Sequence, residues 1–139
     1  MSTLKVDNIT GRGSTGFTGS VKSEGGNTTT DLQQGLAKSW VNFDGSASGA
    51  TARDSLNVST MTDRGTGKFT ITFATVMGNT NYNSVASATV GGADNYNRTA
   101  GAASNATNFS YLNTFAQSGS NSILADAAYT SATFHGDLA

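Results

Sequence analysis

The side chains able to do chemistry in this sequence are few and scattered. His135 is its single histidine, the one side chain whose ordinary pKa lies near neutrality. A nucleophilic triad would need it beside a serine and an acid such as Asp126 or Asp137, but no G-x-S-x-G elbow presents that serine. A strand-end or surface histidine is the plainer expectation. Gly11-Arg12-Gly13-Ser14-Thr15-Gly16 spells G-x-G-x-x-G, a pattern that holds a dinucleotide only where its last glycine opens a helix. Phe17-Thr18-Gly19-Ser20 follows, with Gly25-Gly26 soon after, so the required helix has no sequence to form it; among 17 glycines the match arises by chance. Asp44, Asp54, Asp63 and Asp94 could offer oxygen ligands to calcium, but no D-x-[DN]-x-[DN]-G loop gathers them, and turn residues bonding their own backbone are the simpler expectation. Cysteine is absent, which removes thiolate metal sites. No catalytic residue, metal site or cofactor is nominated, and the chain reads as a non-enzyme.

Aromatic rings offer a different kind of contact. Trp40, Phe43, Tyr82, Tyr96, Phe109 and Tyr111 could stack on sugar faces, although most are expected to build the core. Tyr82, Tyr96 and Tyr111 are the saccharide-contact candidates, because a phenol among asparagines supplies a flat face and hydrogen bonds together. The N-x-[ST] sequons beginning at Asn8, Asn27, Asn57, Asn97, Asn105 and Asn108 follow from the abundance of asparagine, serine and threonine, and no export signal is read that would bring them to the glycosylation machinery.

The elements that would position these residues must be built from little apolar material. Of 139 residues, 36 % are hydrophobic and 12 % charged, the latter about half the usual share. Such a thin core needs a staple. With no cysteine for disulfides and one histidine for zinc, oligomerisation is the route left. A net charge of −1 supplies no basic field for nucleic acid or acidic membranes. No apolar run approaches the length of a membrane span, and the expectation is a chain made in the cytoplasm and not inserted into a membrane.

Residues 1–36 read as an arm and linker. Leu4, Val6 and Ile9 are apolar beside a glycine-rich stretch, so their natural partner is another chain, met by main-chain hydrogen bonds to a sheet edge. Asp31 could cap a single turn or short helix within Leu32–Lys38, with Leu32 and Leu36 on one face. Residues 37–139 turn to period two. Leu56, Val58 and Thr60 alternate, as do Phe69, Ile71 and Phe73, across the turn-rich link Thr62–Lys68, which predicts a β-hairpin at the centre of the body. Further strands are predicted at Tyr82–Val90, Asn108–Phe115 and Tyr129–His135; Ile123–Ala128 fits either a strand or a helix. The fold class is all-β, a β-sandwich-like body with an extended N-terminal arm.

Two stretches carry a resemblance. Ser2-Thr3-Leu4-Lys5-Val6-Asp7-Asn8-Ile9 looks like the opening of many tail-fibre and virion proteins of phages that infect marine bacteria and cyanobacteria. Ala37-Lys38-Ser39-Trp40-Val41-Asn42-Phe43-Asp44-Gly45, then Ser55-Leu56-Asn57-Val58-Ser59, then Gly65-Thr66-Gly67-Lys68-Phe69-Thr70-Ile71-Thr72-Phe73 and Asn81-Tyr82, is similar to a module of such proteins with the order A-K-x-W-x-N-F-x-G, S-x-N-V-S, G-T-G-x-[YF]-T-[VI]-x-F and N-Y. It departs at Met77-Gly78-Asn79, where relatives often carry a proline. The resemblance implies a homotrimeric β-rich head, a virion location, partners among tail or capsid proteins, host attachment that can involve a surface glycan, and no catalytic residues. A capsid decoration or head-fibre protein is the alternative, followed by a carbohydrate-binding module and a small depolymerase.

Sedimentation equilibrium at micromolar concentration is expected to give the mass of a homotrimer. A monomer mass would remove oligomerisation as the staple of this thin core.

Overall fold

Period-two alternation becomes strand along almost all of the body. The computed structural model describes residues 20–22, 29–31, 35–46, 49–90, 98–118 and 120–139, and the chain divides into two units, Met1–Leu36 and Ala37–Ala139. In the first, β1 (Ser20–Lys22) pairs antiparallel with β2 (Thr29–Asp31), Ser20 opposite Asp31. Thr30 and Asp31 therefore lie in a strand, as the β-branched Thr29-Thr30 pair favours, while Leu32, Gln33 and Gln34, on which the predicted short helix falls, lie outside the described residues.

The second unit is a sandwich of two antiparallel sheets. One has the order β4 (Ala52–Leu56), β3 (Ser39–Phe43), β11 (Tyr129–His135), β7 (Asn83–Thr89). The other is built on β9 (Phe109–Ser118), which carries β8 (Arg98–Asn105) along one edge. Its opposite edge is shared by β6 (Lys68–Phe73) and β10 (Asn121–Leu124), with β5 (Val58–Asp63) outside β6. Of Ile123–Ala128, open to either reading in the sequence, Ile123 and Leu124 end a strand and residues 125–128 form neither strand nor helix.

The predicted hairpin is β5–β6, with Met61 opposite Ile71 and Thr62 opposite Thr70. It lies at the edge of its sheet rather than at the centre, because the long β9 takes the central place. Nor do Leu56, Val58 and Thr60 share one face. Asn57 breaks the strand with a φ of 56°, so Leu56 belongs to one sheet and Val58 to the other. The register then slips between Val58 and Thr60, a bulge that turns Thr60 outward beside Thr72 while Val58 stays against the core.

Alternation fills the space between the sheets. Val41 and Phe43, Ala132 and Phe134, Phe69, Ile71 and Phe73, and Leu112 all point inward and are buried. Phe43 meets Phe69 edge-on across the two sheets at 5.0 Å between ring centroids, and Phe73 meets Phe134 at 5.1 Å. Each such fully buried side chain contributes about 1.5–3 kcal/mol by leaving water. Trp40 does not join them. It alternates with Val41 and so faces outward, half-buried, in a row with Leu56 on one side and Thr133 and Val85 on the other.

Replacing the fully buried Ile71 by aspartate places an uncompensated charge between the sheets and is expected to abolish soluble expression. Ile71→Val, which removes only one methylene, should lower stability by about 0.5–1.5 kcal/mol in urea unfolding. Soluble, folded Ile71→Asp protein would contradict the assignment of this face to the core.

Candidate outer-face binding site

β9 carries its aromatics on one face, as the sequence predicts, but that face is the outer one. Ser110, Leu112, Thr114 and Ala116 are the buried set, and Phe109, Tyr111, Asn113 and Phe115 alternate with them. The reason is volume. The interior around β9 already holds large rings, Phe69 beside it on β6 and Phe43 on the facing sheet, and apart from Leu112 β9 presents small side chains there. Their hydroxyls are satisfied locally, Thr114 Oγ1 donating to Ala125 O at 2.6 Å and Ser110 Oγ to Asn105 Oδ1 at 3.0 Å.

Strand pairing extends this outer face into rows. Tyr111 stands opposite Thr70, which stands opposite Thr62; Phe109 likewise precedes Thr72 and Thr60. In the row nearest the hairpin turn, Lys68 lies opposite Asn113, which lies opposite Gly101 of β8. A Cβ at Gly101 would meet nothing within 4 Å, so the sheet is bare beside Asn113.

The turn adds a cation. Arg64 N–H donates to Lys68 O at 2.9 Å and Lys68 N–H to Gly65 O at 2.8 Å. This tight closure brings the Arg64 guanidinium to 4.0 Å from the centroid of the Tyr111 ring. Such a contact contributes about 0.5–1 kcal/mol at an exposed site and fixes the direction of the guanidinium. Phe109 supports the same ring at 4.8 Å. Gly67 completes the turn. Its φ is 65°, its N–H donates to Asp126 Oδ1 at 2.6 Å, and a Cβ there would sit 2.5 Å from Thr114 O, so only glycine lets the turn close on β9.

The sequence candidates are distributed as follows. Tyr111 is on this outer face. Tyr82 is in the core, only 5 % exposed, its ring edge-on to Phe73 and Phe134 and its hydroxyl 3.0 Å from both Ala106 O and Phe109 O. A ring so enclosed cannot take a sugar, which corrects its reading as a saccharide contact. Tyr96, Leu4, Val6, Ile9, the Gly11–Gly16 motif and Asp94 lie outside the described residues. His135 ends β11 on the outer face of the other sheet, opposite Asn83. Asp126, its nominal triad partner, is engaged with Gly67. Asp44, Asp54 and Asp63 accept backbone N–H groups of Ser46, Ser55 and Gly65 respectively. Asp44 also pairs with Arg53 at 3.1 Å. Among the described residues no three His, Cys, Asp or Glu side chains gather. A groove of about 380 Å³ between β4 and β5 is lined by Ala50, Ala52, Ser55, Val58 and Met61 among others, with no titratable side chain.

Arg64, Lys68 and Asn113 were not sequence candidates. The T-x-T repeats of β5 and β6 hinted at an outward hydroxyl face, but the β6–β9 register that brings Asn113 to Lys68 is a long-range pairing with no local signature. No protein-family model, curated protein or solved structure matches the chain.

Burial holds the Tyr82 phenol above its ordinary value of 10.0, partly opposed by hydrogen bonds involving Ser110 and Ala106. The unfolded chain therefore loses this proton first as pH rises. The stability contributed by the neutral phenol is complete below pH 10.0 and is lost as pH climbs through the folded-state value. Tyr82→Phe should cost about 1 kcal/mol at neutral pH through its lost hydrogen bond, and it should unfold less steeply with alkali than the parent. Parallel alkaline profiles in urea unfolding would show that Tyr82 is not enclosed.

Proposed function

We propose that the chain is a non-enzymatic structural protein of a bacteriophage virion, a tail-fibre or tail-associated component. In this reading residues 1–36 dock to the particle through Leu4, Val6 and Ile9. The β-sandwich of residues 37–139 is a trimeric head exposed for host attachment.

The observation that carries this reading is the role of the residues that resemble the fibre module. They are scaffold. Asn57 of the S-x-N-V-S stretch donates through Nδ2 to Lys38 O at 3.1 Å and Thr75 O at 3.0 Å, while its Oδ1 accepts the Thr75 N–H at 2.6 Å. The flanking Ser59 Oγ reaches Thr72 O and Phe73 O. Ser39 Oγ reaches Leu56 O at 3.1 Å. Gly45 lies so close to Phe69 and Ala127 that a Cβ would sit 2.9 Å from each, and the glycines of G-T-G make the hairpin turn. A likeness concentrated on such residues is a likeness of architecture, as expected of a structural head. The row of Leu56, Trp40 and Val85 supports assembly, since Leu56 is 48 % and Val85 60 % exposed and a neighbouring protomer would cover them.

Deleting residues 2–27 is expected to leave the oligomer and its melting temperature nearly unchanged and to prevent incorporation into particles. Normal incorporation of the truncated chain would mean that the body itself docks. A map of purified particles locating the chain on the capsid lattice instead of the tail would favour the capsid-decoration alternative. Its absence from particles would overturn the virion reading.

A further inference from the structure

We infer that the outer face around the β5–β6 turn recognises an acidic saccharide, a glycan whose sugar rings carry carboxylates, with Arg64 as the group that reads the charge. This deepens the proposed attachment role and rests on it for biological context, but the site itself is argued from geometry and charge.

Two cations lie side by side here. Arg64 and Lys68 flank the turn, both are exposed, and neither belongs to the ion pair of Arg53 with Asp44. The acids nearest in sequence are turned to other work. Asp63 lies opposite inward-facing Phe69 and accepts the Gly65 N–H, and Asp126 accepts the Gly67 N–H. Asp63 and Asp126 keep their charges close by, so what the turn offers an anion is less a positive field than the directed N–H donors of Arg64. The Arg64 guanidinium is laid on the Tyr111 ring, so the freedom a surface arginine ordinarily forfeits on binding is already restricted. A planar fork of N–H donors held in this way matches the two oxygens of a carboxylate.

The surroundings favour sugar over an acidic peptide. Thr62, Thr70 and Asn113 stand in adjacent rows, supplying hydroxyl and amide groups that can both donate and accept. Ring hydroxyls, which each sugar presents several times over, use both. The bare sheet at Gly101 leaves room for a second ring beside Asn113 and Tyr111. The site spans the outer faces of paired strands, across which a saccharide chain can lie.

The test uses the full chain and calorimetric titration with oligomers of galacturonate, mannuronate and glucuronate and with sialyllactose, each beside its methyl ester or neutral counterpart, and with polyglutamate. At least one carboxylated saccharide should bind and its uncharged counterpart should not. Arg64→Gln should weaken that binding about tenfold or more, and Lys68→Gln should weaken it less. Gly101→Tyr, whose side chain enters open space, should block it. Lys68→Gln and Gly101→Tyr should keep the parent's melting temperature, and Arg64→Gln should lower it by no more than about 6 °C through the lost ring contact. Binding to none of the carboxylated saccharides, equal binding of the uncharged forms, equal affinity in Arg64→Gln, or polyglutamate binding as tightly as saccharide would each overturn the inference. Failure here leaves the virion reading intact if the chain is found in particles. Absence from particles together with Arg64-dependent saccharide binding would overturn the virion reading and leave this site standing.

Discussion

The sandwich depends on one residue that takes the chain from one sheet into the other. Asn57 stands between β4 and β5 in the left-handed region, with a φ of 56°, where asparagine is among the few side chains tolerated. The reversal it makes would leave carbonyls and an amide N–H unpaired between the two sheets. Its own side chain supplies the missing partners, donating to Lys38 O and Thr75 O and accepting from Thr75 N–H. Its backbone carbonyl accepts the Ala74 N–H at 3.2 Å. Three separate segments are therefore tied at one amide group. Alanine would lose all three side-chain hydrogen bonds, and glycine would ease the backbone angle while losing the same three.

From that crossing the rest follows by alternation. Once β5 enters the second sheet in register with β6, Val58 and Met61 must face the core and Thr60 and Thr62 must face outward, because the bulge at Ser59 sets the phase. β6 then hands the phase to β9, so that Leu112 meets Phe69 inside and Tyr111 meets Thr70 outside. Aromatic side chains on β9 are thereby committed to the surface, and the interior is filled by rings from β3, β6 and β11 instead. The outer-face site is thus a consequence of the same register that builds the core.

The thin core is compensated by local polar closure. Thr114, Thr130 and Ser110 are buried hydroxyl residues, and each hydroxyl has a partner, Thr130 Oγ1 donating to Ala127 O at 3.2 Å. Arg53 acts similarly at the sandwich rim. Its guanidinium donates to Phe43 O, Asp44 Oδ2 and Ala128 O and lies 4.7 Å from the Tyr129 ring, pinning β4 to the loops that end β3 and begin β11. A domain with few charges uses this arginine as a main-chain bracket. Arg64, with the same ring-stacked geometry, has no such carbonyl partners and is exposed to solvent.

The sequence by itself determined the all-β class, the β5–β6 hairpin and strands at Tyr82–Val90, Asn108–Phe115 and Tyr129–His135, the second of which runs on to Ser118 in the structure, because alternation and turn residues are local properties that survive in a single window of chain. It also marked Phe69, Ile71 and Phe73 as one face. Only the tertiary structure decided which face of each strand is inside. Trp40, Phe109 and Tyr111 are aromatic and alternate as core residues do, yet they lie outside, while Tyr82 beside its asparagines lies within. β8, Arg98–Asn105, was invisible because its run of alanine, glycine and serine has no apolar rhythm, and it is a strand through its pairing with β9. The candidate site shared this fate. Tyr111 could be nominated from its type and neighbours, but Arg64, Lys68 and Asn113 meet it through a register between strands far apart in sequence, and pairing at that range is fixed by how the core packs.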